Sequence, residues 1–172
     1  LHFFEQLRKK YPTMRNFYAR DANDLVLEED KDDGNYRWVS VESKRLCSGF
    51  VNPPEISDAT DMQLDILDSV PHSLSISPLD CETLNLTYGF DFAFQGNQHQ
   101  LLFDALGMAP AFEKALEIPG CRLVAFDPVV QMALDPECRI QFRLNIEPRT
   151  TAYQIRTGDF SEENLSVFMT LR

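Results

Sequence analysis

Residues 138–147, CRIQFRLNIE, constrain the fold of this chain more than any other stretch of its sequence. From Arg139 to Glu147 the odd positions are all polar, and the even positions between them are all apolar. Successive side chains of a β-strand point to opposite faces, so this alternation predicts a strand with one face in a core and the other in water. Residues 84–94 and 165–171 alternate in the same way, and we expect the three strands to share one buried apolar face. In the first of these two stretches the expected inward residues are Leu84, Leu86, Tyr88, Phe90, Phe92 and Phe94.

Four segments have the apolar spacing of amphipathic helices and could cover that face. They are residues 3–11, 58–70, 98–106 and 111–117. The third has the clearest ends, because Asn97 is a good N-cap and Gly107 suits the position that follows a helix. The second is expected to begin at a cap on Ser57 or Asp58 and to end before Pro71. Its apolar positions 62, 64 and 66 also alternate, so a short strand is the competing interpretation.

Further strands are predicted in the rest of the chain. Residues 17–29 predict a strand pair or a single strand, residues 30–35 a turn, and residues 36–50 a strand that completes a hairpin. Residues 122–134 predict a strand that is interrupted near Pro128, because proline cannot donate to the ladder. Residues 151–157 are expected to continue the strand of 138–147 past Pro148, with a bulge where the apolar residues change from even to odd positions.

This order of elements predicts an α+β fold, with an antiparallel sheet of about six or seven strands and amphipathic helices packed on one face. The length fits a single domain over residues 1–172. An alternative is two pseudo-similar halves that share the one sheet, with a boundary near residues 78–83.

The charge of the chain limits the classes of partner. Its formal net charge is -11, with 16 basic residues against 27 acidic ones, whereas binding of nucleic acid requires an excess of Lys and Arg. Nucleic acid and anionic membranes are therefore not expected partners, and no apolar run approaches the roughly 20 residues of a membrane span. The four cysteines have no CxxC spacing, so no metal or cofactor is predicted. With no visible signal peptide a cytoplasmic location is expected, although a chain that begins at Leu1 leaves open a removed leader.

Arginines on the polar side of the predicted sheet form the first candidate site. Several guanidinium groups on one face could bind a small anionic ligand or an acidic protein partner. The alternative is a solvated face whose arginines pair with neighbouring carboxylates. The candidate ligand-binding residues are Arg139, Arg143, Arg149 and Arg156, with Arg122 on the predicted neighbouring strand.

The second candidate site joins His99, in the first turn of the predicted helix 98–106, to Asp91 on the strand before it. Such a pair could relay a proton in acid–base catalysis. The sequence offers no GxSxG nucleophile elbow beside the pair. The alternative for His99 is a solvent-facing residue without a catalytic role.

These patterns favour a non-catalytic binding or scaffolding domain that self-associates through a sheet edge or the polar side of the sheet. The alternative is an enzyme, or a protein that binds a small anionic ligand, with a pocket between the sheet and helices 97–117. The two differ in one geometric feature. A pocket that converges on Asp91, His99 and an arginine favours the alternative.

Overall fold

Two four-stranded antiparallel sheets and five α-helices make up the described part of the chain, residues 1–107 and 109–172 of a computed structural model. The α+β class is confirmed. The prediction of one sheet of six or seven strands is wrong, because the strands divide between a unit of residues 1–82 and a unit of residues 83–172. None of the described helices is both long enough and apolar enough to span a lipid bilayer.

The first unit is a four-stranded meander with a helix at each end of its sequence. Helix α1 spans His2–Lys10 and helix α2 spans Ile56–Ser73. The strands are β1 Asn16–Asp21, β2 Asp24–Glu28, β3 Tyr36–Val41 and β4 Leu46–Val51, paired in chain order. Short turns join them, which makes each neighbouring pair antiparallel.

Both helices of the first unit bury their apolar side chains against β2 and β3. The predicted helix over residues 3–11 is confirmed, and so is the helical interpretation of residues 58–70. The buried side chains form one cluster, which comprises Phe3, Phe4, Leu7, Met14, Leu27, Val39, Met62 and Ile66. This unit therefore has a closed core between its sheet and its helices.

Three details of the first unit differ from the predictions. The strand expected over residues 36–50 is two strands, because the chain turns where the Glu42 amide bonds the Arg45 carbonyl at 2.8 Å. Helix α2 has Glu55 as its N-cap, and Asp58 lies inside the first turn, where its carboxylate accepts from the Glu55 amide at 3.3 Å. The helix also continues past Pro71, since a proline in the last turn removes only one helical hydrogen bond.

The second unit contains the long strands. Its elements are β5 Leu86–Gln95, α3 Gln98–Leu106, α4 Pro110–Leu116, β6 Val129–Ala133, β7 Gln141–Glu147, α5 Ala152–Thr157 and β8 Glu162–Leu171. The sheet order is β5-β8-β7-β6, so β5 and β6 are its edges. Strands β5 and β8 pair along ten residues, from Leu86 opposite Leu171 to Gln95 opposite Glu162. The predicted caps of α3 are confirmed, with Asn97 before it and Gly107 after it.

Two strand predictions for the second unit are wrong. Residues 151–157 form helix α5 instead of continuing β7, because Thr151 caps it through a hydroxyl that accepts from the Gln154 amide, and Gly158 ends it in the left-handed region. Residues 122–128 lie outside any strand, and β6 begins only after Pro128.

Candidate functional site

One face of the second sheet is apolar on all four strands, and we call it the apolar sheet face. Residues paired across antiparallel strands point to the same side, so the registers define its members. They are Leu86, Tyr88, Phe90, Phe92 and Phe94 on β5, Leu165, Val167, Met169 and Leu171 on β8, Phe142, Leu144 and Ile146 on β7, and Val130 and Met132 on β6. The alternation in residues 138–147 thus identified the two sides of the sheet correctly.

Only the middle of the apolar sheet face is buried. Leu102 of α3 packs there with Ile146 and Leu165, and Phe126, Leu144 and Val167 adjoin this small cluster. Both edges of the face are exposed, and on β5 the exposed fraction reaches 38% for Phe90 and 55% for Phe92. The expectation that Leu84, Leu86, Phe90 and Phe92 point into a core is therefore wrong in this respect.

Strand β5 also has an unpaired side, since no other strand in the described residues pairs with it beyond β8. The direction in which the backbone groups of β5 point follows from the hydrogen bonds between β7 and β8. Gln141 and Arg172 exchange both of their backbone hydrogen bonds, each at 2.9 Å. Antiparallel strands alternate hydrogen-bonded and non-hydrogen-bonded pairs, so the even residues of β8 bond β7 and its odd residues bond β5.

The β5 partners of those odd β8 residues are the even ones, from Leu86 to Phe94. The other five residues of β5 therefore turn their amide and carbonyl groups toward the free edge. These residues are Thr87, Gly89, Asp91, Ala93 and Gln95.

The free edge of β5 lacks the side chains that usually discourage strand pairing. Natural edge strands are commonly protected by lysine, proline or a bulge. The sequence of β5, LTYGFDFAFQ, contains no Lys, Arg or Pro, and its ten-residue register with β8 is regular. Its only charged residue is Asp91, so this edge is open to another extended chain.

His99 is buried and holds two loops in place, so the alternative of a solvent-facing residue is wrong. Its ring is 5% exposed. The Phe126 amide donates to Nδ1 at 3.0 Å, and Nε2 lies 3.1 Å from the Thr150 carbonyl oxygen, to which it donates. Asp127 Oδ1 lies 3.8 Å from Nδ1. The ring forms no hydrogen bond or ion pair with Asp91 among the described residues, and its nitrogens are engaged by backbone groups.

Asp91 belongs instead to a network of side-chain hydrogen bonds on the opposite face of the sheet. Its carboxylate accepts from the Ser166 hydroxyl at 2.5 Å, and the Ser166 oxygen accepts from Arg149 Nη2 at 3.0 Å. Ser166 is fully buried. The buried Gln98 side chain fixes the same loop, because its Oε1 accepts from the Arg149 amide at 2.6 Å. This hydrogen-bond network joins β5, β8 and the segment after β7.

The four candidate arginines lie at different places in the second unit. Arg143 is on β7, and Arg139 precedes that strand and pairs with Asp135 at 3.7 Å. Arg149 follows the strand, and Arg156 lies on α5 with its guanidinium 5.4 Å from the Tyr153 ring centre. The four guanidinium groups are thus not arranged along a single strand, because β7 ends before Pro148.

A cleft of about 570 Å³ lies beside α3 and α5 in the second unit. Asn97, Gln100, Cys121 and Arg122 supply its polar groups, and Arg122 Nη1 donates to the Ile155 carbonyl at 2.7 Å. Asp91, His99 and the four candidate arginines are not among its lining residues. Among the residues described, no group of three or more His, Cys, Asp or Glu could hold a metal ion.

The β5 edge, the Ser166 hydroxyl and the cleft were not among the predicted sites. A usable signal existed for the edge, namely a ten-residue strand without Lys, Arg or Pro. The cleft residues are far apart in sequence, and no spacing marks them. No protein-family model matches the sequence, and neither the curated proteins nor the solved structures include a match to this chain.

Proposed function

We propose that this chain is a non-catalytic binding domain that holds a protein partner against the apolar sheet face and the free edge of β5. The observation that carries the proposal is the exposure of Leu86, Phe90 and Phe92 beside an unpaired edge. Contiguous apolar patches on a protein surface commonly mark interaction sites. An extended segment that pairs with β5 would bury these side chains and satisfy the free backbone groups together.

The exposed area of these three side chains is too small to hold a partner by itself. The exposed fractions of Leu86, Phe90 and Phe92 are 39%, 38% and 55%. Together they correspond to roughly 250 Å² of apolar surface, whose burial contributes about 6 kcal/mol. Association costs on the order of 4–15 kcal/mol. The partner must therefore supply apolar surface of its own as well as backbone hydrogen bonds.

The engagement of His99 supports a binding role over a catalytic one. A general base needs a nitrogen that can reach a substrate. Both ring nitrogens of His99 contact the backbone of Phe126 or Thr150 instead. The pair of His99 and Asp91 is therefore not part of the proposal.

Selection from a displayed library of random peptides, long enough to span β5, tests the proposal. We expect the enriched peptides to alternate apolar and polar residues, and their affinity to fall by at least about tenfold for Phe92→Ser. The matched control is Val129→Ser, a similarly exposed residue on the opposite face of the same sheet. Peptides that bind the two variants equally, or a library without enrichment, would contradict the proposal.

The cleft beside α3 supports a second candidate function, the binding of a small anionic ligand. Its volume falls within the range of about 300–1,000 Å³ found for small-molecule sites. Arg122 would supply the positive charge, and Asn97 and Gln100 neutral hydrogen-bonding groups.

A thermal-shift assay with inorganic phosphate and citrate tests this second function. Binding to the folded state should raise the melting temperature. We expect Arg122→Gln to abolish that rise and Arg143→Gln, outside the cleft, to retain it. A rise that survives Arg122→Gln, or no rise in the wild type, would contradict binding of these anions in the cleft.

A further inference from the structure

We infer that the protein partner at the apolar sheet face is a second copy of this chain, joined by antiparallel pairing of the two β5 strands. The inference rests on the proposed function and specifies its partner. The two copies would be related by a twofold axis perpendicular to the sheet. Such an arrangement is self-complementary, because the same strand supplies both sides of the contact.

The backbone of β5 matches a copy of itself. The amide and carbonyl groups of Thr87, Gly89, Asp91 and Ala93 point toward the free edge, by the alternation set at Gln141 and Arg172. Antiparallel pairing with an identical strand places a donor opposite each acceptor. Each hydrogen-bonded pair of residues would form two backbone hydrogen bonds, and the two sheets would become one continuous sheet.

The side chains favour a register centred on Phe90, about which all five apolar residues of β5 pair with one another. The apolar sheet faces of the two copies lie on the same side only if residues of like parity stand opposite each other. A register centred on Asp91 would set two carboxylates opposite each other, which is destabilising. A register centred on Phe90 places Gly89 opposite Asp91 of the second copy instead. It also pairs Leu86 with Phe94, Tyr88 with Phe92, and Phe90 with its own copy.

This register buries the exposed side chains of β5 at the centre of the contact, where they approach each other most closely. The Phe90 pair is a non-hydrogen-bonded one, in which side chains approach most closely. The exposed rings of Phe90 and Phe92 in each copy would then lie in the middle of a shared apolar face, with the α3 helices on either side of them. A second copy would thus pair the free backbone groups of β5 and cover its exposed apolar side chains at the same time.

Sedimentation velocity of the full chain over a range of concentrations tests the inference. We expect a reversible monomer–dimer equilibrium whose dissociation constant rises by at least about tenfold for Phe92→Ser. Because each copy carries a net charge of -11, added salt should strengthen the dimer by screening repulsion between the copies.

Ala93→Pro provides the sharper test of the edge. The Ala93 amide points to the free edge, so proline there removes a donor that the monomer does not use. We expect this variant to be monomeric with unchanged circular dichroism. Ala133→Pro, the same change on the opposite edge strand β6, should leave the dimer intact. If Ala93→Pro does not fold, Thr87→Glu, which adds a negative charge diagonally opposite Asp91 of the second copy, should give the same monomer.

Cysteine crosslinking tests the register. In a chain with serine at the exposed Cys81, Cys121 and Cys138, Phe90→Cys should form a disulfide-linked dimer under copper phenanthroline oxidation. Opposed Cα atoms in a non-hydrogen-bonded pair are about 4.5 Å apart, within reach of a disulfide. Phe92→Cys should not crosslink, because its own copy would lie four residues away along the strand. The reverse result would overturn the register.

A chain that stays monomeric at every concentration would overturn the inference. Peptide binding that is sensitive to Phe92→Ser would then still support the proposed function, so the two failures are distinguishable. A dimer that survives both Ala93→Pro and Thr87→Glu, or that Ala133→Pro abolishes, would place the interface elsewhere and also overturn the inference.

Discussion

Replacement of His99 by alanine tests the structural role that its contacts assign to it. The ring joins the first turn of α3 to two separate segments, through the amide of Phe126 and the carbonyl of Thr150. A ring that accepts at Nδ1 and donates at Nε2 carries its proton on Nε2. Alanine at this position would leave both backbone groups without their partners.

The expected loss of stability follows from those contacts. Each hydrogen bond contributes about 1 kcal/mol net, and a buried group left unpaired costs about 1–3 kcal/mol. The ring is also almost fully buried, at 5% exposure, so its removal leaves unfilled space. We therefore expect His99→Ala to lower the free energy of unfolding by about 2–4 kcal/mol.

Urea unfolding followed by far-ultraviolet circular dichroism measures this loss. Hydrogen exchange should show where it arises, with faster exchange of the amides of α3 and of Phe126. The matched control is His72→Ala, because His72 is exposed in the last turn of α2. A loss below about 0.5 kcal/mol for His99→Ala, the range of ordinary surface substitutions, would refute the role assigned to the ring.

Three further substitutions test local features of the two units. Tyr11→Phe removes the hydroxyl that donates to Asp65 at 2.5 Å, and should cost about 1–2 kcal/mol in urea unfolding at neutral pH. Hydrogen bonds from Lys10 and Tyr11 hold the pKa of Asp65 below its usual range. The stability that they contribute is present at neutral pH and is lost as Asp65 becomes protonated at low pH. Because Tyr11→Phe lacks one of these bonds, it should lose less stability than the wild type on acidification. Gly49→Ala would place its Cβ 2.5 Å from the indole nitrogen of Trp38, and should cost about 1–3 kcal/mol and shift the tryptophan emission. Thr151→Ala removes the cap of α5 and should cost about 0.5–2 kcal/mol by thermal unfolding. Unchanged unfolding in any variant would contradict the contact assigned to it.

The elements that the sequence predicted well are those with local determinants. Helix α3 begins after Asn97 and ends before Gly107 because both caps act within one turn. Helix α5 was missed for a related reason. Its determinants, Thr151 and Gln154, are also local, but the alternation of Tyr153 and Ile155 drew the interpretation toward a strand. The capping box formed by Thr151 and Gln154 was the better signal.

The division into two sheets could not be predicted from alternation. Alternation states which face of a strand is apolar, but it does not state which strand lies beside it. Strands β1 to β4 pair with their neighbours in the chain, whereas β5 pairs with β8, far along the chain. Pairing over such a separation is decided by the whole fold rather than by either segment.

The candidate sites differ from the predictions because of two local events. Pro148 follows the end of β7, so Arg149 turns back to Ser166 instead of following Arg143 along a strand. His99 is buried because the first turn of α3 packs against the segment before β6 and the segment after β7. Neither the alternation of β7 nor the position of His99 in the first turn of its helix predicts these contacts.

The exposure of the apolar sheet face follows from the lengths of the elements that could cover it. Helix α3 has nine residues and is about 14 Å long, whereas β5 and β8 have ten residues and extend about 33 Å. In the first unit, α1 and the eighteen-residue α2 pack on strands of five or six residues, and the core is closed. A helix as short as α3 covers less than half the length of the second sheet. The apolar residues beyond it keep the alternation of a half-buried strand although they are exposed, which is why the sequence alone predicted a core there.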